Sequence, residues 1–92
     1  MLPVVWLNSA LQDLQAITEF IAESNPAAAQ HLVNRLIEDA DSLGALPAQY
    51  RRGRIAGTHE FVSHPNYILV YRHAVLAIEI LNVVHARQQY PF

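Results

Sequence analysis

Ser24-Asn25-Pro26 separates two stretches of helical periodicity, and that break constrains the fold more than any other feature of the chain. Leu11, Leu14, Ile17 and Ile21 recur at three-to-four spacing and form one apolar stripe, which predicts a helix over 9–24. Ser9-Ala10-Leu11-Gln12 fits a capping box at its start. Asp13, Glu19 and Glu23 fall off the stripe. Ala29, Leu32, Val33, Leu36, Ile37, Ala40 and Leu43 make a second stripe, predicting a helix over 26–44. Asn25 can cap that helix, and Pro26 suits its first position because the missing N–H would be unpaired there anyway. Gly44 reads as its stop, with Pro47 beyond. Two helices joined this tightly form an antiparallel hairpin.

The flanking segments read as strands. Pro3 to Leu7 is a short β-branched and aromatic run. Residues 45–53 read as loop. Arg54-Ile55-Ala56 is a weak strand stopped by Gly57, 59–63 is a second, and 67–72 and 76–84 follow as strong ones. His64-Pro65-Asn66 turns the chain. The last two strands are apolar on both parities: Leu76, Ile78, Ile80 and Val84 on one, Val75, Ala77, Leu81 and Val83 on the other. A strand with one wet face alternates. A helical hairpin covers one face of a sheet, so the other face is expected to need cover from a partner.

Ninety-two residues suit a single domain over 1–92. With 52% hydrophobic and 15% charged residues, the chain is not intrinsically disordered. It has no cysteine, so disulfides and thiolate metal sites are excluded. No apolar run approaches the ~20 residues of a membrane span, and Met1-Leu2-Pro3-Val4 has no signal-peptide pattern. A soluble cytoplasmic protein with no membrane contact is expected. The net charge of −2 disfavours nonspecific nucleic-acid binding. There is no lysine, and charge divides unevenly. Residues 1–49 hold six acids and one arginine; residues 50–92 hold five arginines, two acids and four of the five histidines. A surface for acidic partners therefore lies in the second half.

Several pieces in order carry a family resemblance. They are Trp6, the Leu11/Leu14/Ile17 helix followed by Asn25-Pro26-Ala27-Ala28-Ala29, and the run from Arg52 to Val62. Pro65 to Arg72 and Ile80 to Pro91 complete the set. In this order and length the chain resembles the RelE/ParE superfamily of toxins from bacterial type II toxin–antitoxin systems, and its pieces look most like the ParE side. The resemblance implies an α+β, RelE-like two-layer fold, β-α-α-β-β-β. In it a helical hairpin packs on one antiparallel sheet, with the first strand beside the last. It also implies a ParD-like antitoxin that wraps the toxin in a hetero-oligomer. DNA gyrase is the implied target, and operator DNA is reached only through the antitoxin.

RelE-like members of the superfamily are instead ribosome-dependent mRNA endoribonucleases. They commonly carry an arginine two residues before the Val-Tyr pair of the central strand. That position is Ile68 here, which can neither move a proton nor hold a phosphate. Were the chain a ribonuclease, Arg54, Glu60, His85, Arg87 and Tyr90 would be the residues to carry the chemistry. A third reading is an inactive homologue that serves as an antitoxin-binding co-repressor.

Arg51, Arg52, Arg54, Arg72 and Tyr90 are the residues expected to meet a partner; the planar guanidinium fork suits the carboxylates of an acidic antitoxin segment. The alternative for the Arg51–Arg54 cluster is a solvated loop. Glu60 can pair with Arg72 or Arg54 across the sheet, and His85 can simply end the last strand. The histidines at 59, 64, 73 and 85 match no compact metal site, so neither a metal nor a cofactor is expected. Tyr90-Pro91-Phe92 either packs back on the sheet or contacts a partner.

Overall fold

A computed structural model describes residues 1–45, 50–88 and 90. Pro47, Pro91 and Phe92, named in the sequence analysis, lie outside the described residues. The element order is β1 (Val4–Trp6), α1 (Asn8–Ala22), α2 (Pro26–Ala45), β2 (Arg51–Arg52), β3 (His59–His64), β4 (Tyr67–His73) and β5 (Ile78–His85). The strands form one sheet in the order β1-β5-β4-β3-β2. The first strand lies beside the last, and it runs parallel to it, so the sheet is mixed rather than wholly antiparallel. The remaining neighbours are antiparallel.

The hairpin forms where the Asn-Pro break requires it. The Asn25 Oδ1 accepts from the Ala28 N–H at 3.0 Å, capping α2. The start of α1 differs from the capping box. Leu7 is the N-cap, with no side-chain cap, and the Ser9 hydroxyl instead donates to the Leu81 carbonyl at 2.5 Å. Gly44 does not stop α2 either, which runs through it to Ala45. Its glycine serves a close approach: a Cβ there would collide with the Leu2 carbonyl oxygen and sit 2.8 Å from the Val4 Cγ2. The Leu2 N–H donates to the Gly44 carbonyl at 3.0 Å, which fastens β1 to the end of α2.

The main core lies between helices and sheet. Leu32, Leu36, Ala40 and Leu43 of α2 meet Leu69, Tyr71, Ile78, Ile80 and Val83, with Leu14 and Ile17 half-buried beside them. Leu11 of the predicted stripe is exposed. A second, smaller cluster covers the opposite face: Ile68, Val70 and Val84 pack with Tyr90.

Two devices explain why β4 and β5 are apolar on both parities. The first is that second cluster, in which the chain's own Tyr90 covers sheet surface that was expected to need a partner. The second is a bulge at Leu81. Tyr71 pairs with Ile80 while Val70 pairs with Asn82, so one extra residue enters β5. Ile78 and Ile80 face the helices before it; Val83 does so after it, on the opposite parity. The N–H of Val83 donates to Asp13 Oδ2 at 3.0 Å, and Asn82 Nδ2 donates to the same oxygen at 2.9 Å. Ser9 and Asp13, one turn apart on α1, thus clamp the bulge.

The strand predicted at 54–56 is a turn. Gly53 N–H donates to the Thr58 carbonyl at 2.9 Å, and the Thr58 hydroxyl donates to the Ile55 carbonyl at 2.6 Å. Gly57 closes this turn at a φ of 80°. The strand in this region is β2, inside the predicted loop, with Arg51 opposite Glu60 and Arg52 opposite His59. β5 starts at Ile78 rather than 76, because Val75 and Leu76 form the tip of the β4–β5 hairpin.

Candidate partner-binding face

The arginine-rich loop and the C-terminal segment meet on the face of the sheet turned away from the helices. Glu60 pairs with Val70 across β3 and β4, and so shares that face with Ile68 and Val70. It is 4% exposed. A buried carboxylate requires a cation, and Arg51, the residue opposite on β2, supplies it: Nε donates to Glu60 Oε1 at 2.8 Å. Arg54 Nε stands 4.0 Å from the other carboxylate oxygen.

Arg54 also holds the C-terminal segment. Its Cζ lies 4.5 Å from the centroid of the Tyr90 ring, a cation–π contact, and its Nη1 donates to the Gln88 carbonyl at 3.2 Å. Tyr90 is 6% exposed and seated on Ile68, Val70 and Val84. Glu60, Arg51, Arg54 and Tyr90 therefore form one group.

The other residues singled out lie elsewhere. Arg72 does not pair with Glu60; it forms its own ion pair with Glu79, Nη2 to Oε1 at 2.6 Å. The register decides this, because Arg72 stands opposite Glu79 on β5. His85 pairs with Tyr67, and their rings meet edge to face at 5.3 Å on the helical side, beside Asp13, Ile17 and Phe20. The His85 Nδ1 accepts from the Arg87 N–H at 3.1 Å, so this ring ends its strand by capping the following turn. Arg87 and Arg52 are exposed, with no carboxylate in ion-pair range among the described residues. Among the described residues no group of three or more His, Asp or Glu side chains is placed to hold a metal ion, and no helix is long and apolar enough to cross a membrane.

From the sequence Ser9 is expected only as a helix cap, and Asp13 and Tyr50 are assigned no role. The first two hold the bulge, and the Tyr50 N–H donates to the Tyr71 hydroxyl at 3.3 Å. Burial pushes the Tyr71 phenol above its ordinary value; the Tyr50 N–H bond works against that. An off-stripe acid at i+4 from a serine is the trace a closer reading could have used for Ser9 and Asp13.

Comparison with known proteins agrees with this architecture. Residues 4–90 match the family described as ParE toxin of type II toxin-antitoxin system, parDE. Y4kP of Sinorhizobium fredii is 40% identical over 87 residues, which cover 94% of this chain and 90% of that protein. Toxin RelE2 of Caulobacter vibrioides is 40% identical over 88 residues, covering 94% of this chain and 97% of that one. In the solved structure of the chromosomal ParDE TA system from P. aeruginosa, one chain has the same fold with a TM-score of 0.82, at 21% identity. That match covers 92% of this chain and 96% of the other. With the family matched over nearly its whole length, the chain belongs to the ParE toxins of type II toxin–antitoxin systems.

Proposed function

We propose that this toxin, a single domain over 1–92, acts in the cytoplasm as an inhibitor of DNA gyrase and is neutralised by a cognate ParD-like antitoxin. The observation that carries the target reading is the separation of the groups a ribonuclease would use. Glu60 is buried and neutralised by Arg51 on one face of the sheet, while the His85 ring lies on the other against Tyr67. A base, an acid and a phosphate-holding cation must converge on one reacting atom within hydrogen-bond reach. Ile68, where RelE-like ribonucleases commonly carry a cation, is buried in the second cluster.

The test pairs two assays on the purified toxin. Inhibition of gyrase supercoiling with accumulation of cleaved DNA, and no mRNA cut on programmed ribosomes, is the expected result. Cleavage in the ribosomal A site without an effect on gyrase would replace this reading by the ribonuclease one, which the name of the 40% identical relative RelE2 also suggests.

For the antitoxin, whose segment we place across the sheet and along the helical hairpin, the charge asymmetry supports acidic residues in the part that meets the arginine-bearing sheet half. Arg54 and Arg72 are half-exposed, so each can add an outside carboxylate to its internal partner. Replacing both with Glu should slow antitoxin association at low salt. An unchanged association rate, with normal neutralisation in cells, would assign these arginines to another role.

A further inference from the structure

A cavity of about 390 Å³ opens at the seam between the two layers, where α1 passes the start of β4 and the end of β5. Ile17, Phe20, Tyr67 and Val83 supply its apolar walls. Phe20 is 74% exposed and belongs to neither core cluster.

The polar lining holds one charge. His85 Nδ1 accepts from the Arg87 N–H at 3.1 Å, and an accepting Nδ1 belongs to a neutral ring. Gln88 Oε1 is spent on the His85 N–H at 3.1 Å. Asp13 remains. Its Oδ2 takes the Asn82 and Val83 donors, and its Oδ1 has no donor among the described residues. No cation of the described residues stands within 4.0 Å of this half-buried carboxylate. A carboxylate withdrawn from water without a cation favours one from outside. The rest of α1 adds to that preference, because the helix carries Asp13 and Glu19 and no basic residue.

A carboxylate beside aromatic rings is a receptor for a guanidinium. The planar head stacks on a ring while its N–H fork reaches the carboxylate, and its weak hydration lowers the cost of entry. The place of the cavity identifies the carrier. Residues 1–49 hold six acids and one arginine, and residues 50–92 five arginines and two acids. A segment that crosses the sheet and continues along the hairpin passes from the basic half to the acidic half at this seam. Charge complementarity asks it for carboxylates on the first stretch and a base on the second.

We propose that this cavity takes an arginine side chain of the antitoxin, its guanidinium on Asp13 Oδ1 and against Phe20. The inference rests on the antitoxin course given under the proposed function.

The probe is N-acetyl-arginine amide, titrated into the purified toxin and followed by amide chemical shifts. It should move the Asp13, Phe20 and His85 amides, and N-acetyl-norleucine amide should not. Asp13→Asn keeps an oxygen for Asn82 and Val83 but loses the charge, so its melting temperature should stay near the wild-type value while the shifts vanish. Phe20→Ala, at an exposed position, should weaken the probe too. In the toxin–antitoxin complex the probe should find the cavity filled, and Asp13→Asn toxin should bind the antitoxin about tenfold more weakly. Wild-type toxin that ignores the probe, or Asp13→Asn toxin that binds it equally, overturns the site. A probe that still enters the complex overturns the assignment to the antitoxin. Should Asp13→Asn fold poorly, Phe20→Ala decides by the same two readouts. If the α1 amides gain no exchange protection in the complex, the antitoxin course itself falls and takes the carrier with it, while titration of the free toxin still decides the guanidinium site.

Discussion

Arg51 and Glu60 stand directly opposite each other on β2 and β3, and the guanidinium Nε meets the carboxylate at 2.8 Å with the acid buried and the base half in solvent. This asymmetry predicts unequal mutational costs. Arg51→Ala leaves a buried carboxylate with only Arg54 at 4.0 Å, and should lose about 1–3 kcal/mol. Glu60→Gln leaves an arginine that water can solvate, and should lose less. The double variant should recover most of the Arg51→Ala loss. Urea unfolding of the four proteins checks this; a loss below about 0.5 kcal/mol for Arg51→Ala would mean that Arg54 alone suffices.

Asp13 satisfies the backbone at the β5 bulge. Asp13→Ala removes the acceptor of both Val83 N–H and Asn82 Nδ2, which should cost about 1–3 kcal/mol. Amide exchange at Val83 should rise more than at Leu69, which sits in the same core. Equal acceleration at both sites would show global destabilisation without a local clamp.

Leu36 is 0% exposed and central to the helix–sheet core. Leu36→Ala should cost about 2–5 kcal/mol. Leu11→Ala, on the same hairpin but exposed, should cost far less. A reversed order in chemical denaturation would mean that the wrong helical face has been placed on the sheet.

Gly44→Ala sets two effects of opposite sign against each other. Alanine favours a helix by about 1 kcal/mol over glycine. The new Cβ would strike the Leu2 carbonyl, a backbone group that cannot swing aside. The collision should win, with a net loss of about 1–3 kcal/mol and a lower melting temperature. A rise in melting temperature would show that β1 yields easily.

Tyr71 makes stability fall at high pH. Its phenol is raised by burial, so the folded state holds the proton more tightly than the unfolded chain does. The contribution is fully present below the unfolded value of about 10 and is lost as pH rises from there through the folded value. Tyr71→Phe should therefore change the slope of urea midpoint against pH above about pH 10. Parallel curves for the two proteins through pH 11 would refute the assignment to Tyr71 at about that range.

What the sequence determined by itself is local. The Asn25-Pro26 break, the two apolar stripes and the strong β4 and β5 runs specify their elements through spacing and backbone chemistry, and those elements are in the structure near their predicted bounds. The ordered pieces also specified the family. The tertiary structure decided whatever depends on two distant segments meeting. Gly44 resembles a helix stop until Leu2 arrives beside it. The apolar residues on both parities of β5 look like a face awaiting a partner until the Leu81 bulge and Tyr90 account for them. Glu60 could face any of several arginines, and strand register chose Arg51 for it and Glu79 for Arg72. Periodicity reports which side of one element is apolar. Which residue stands opposite depends on register and bulges, and these are set by the packing of the whole sheet.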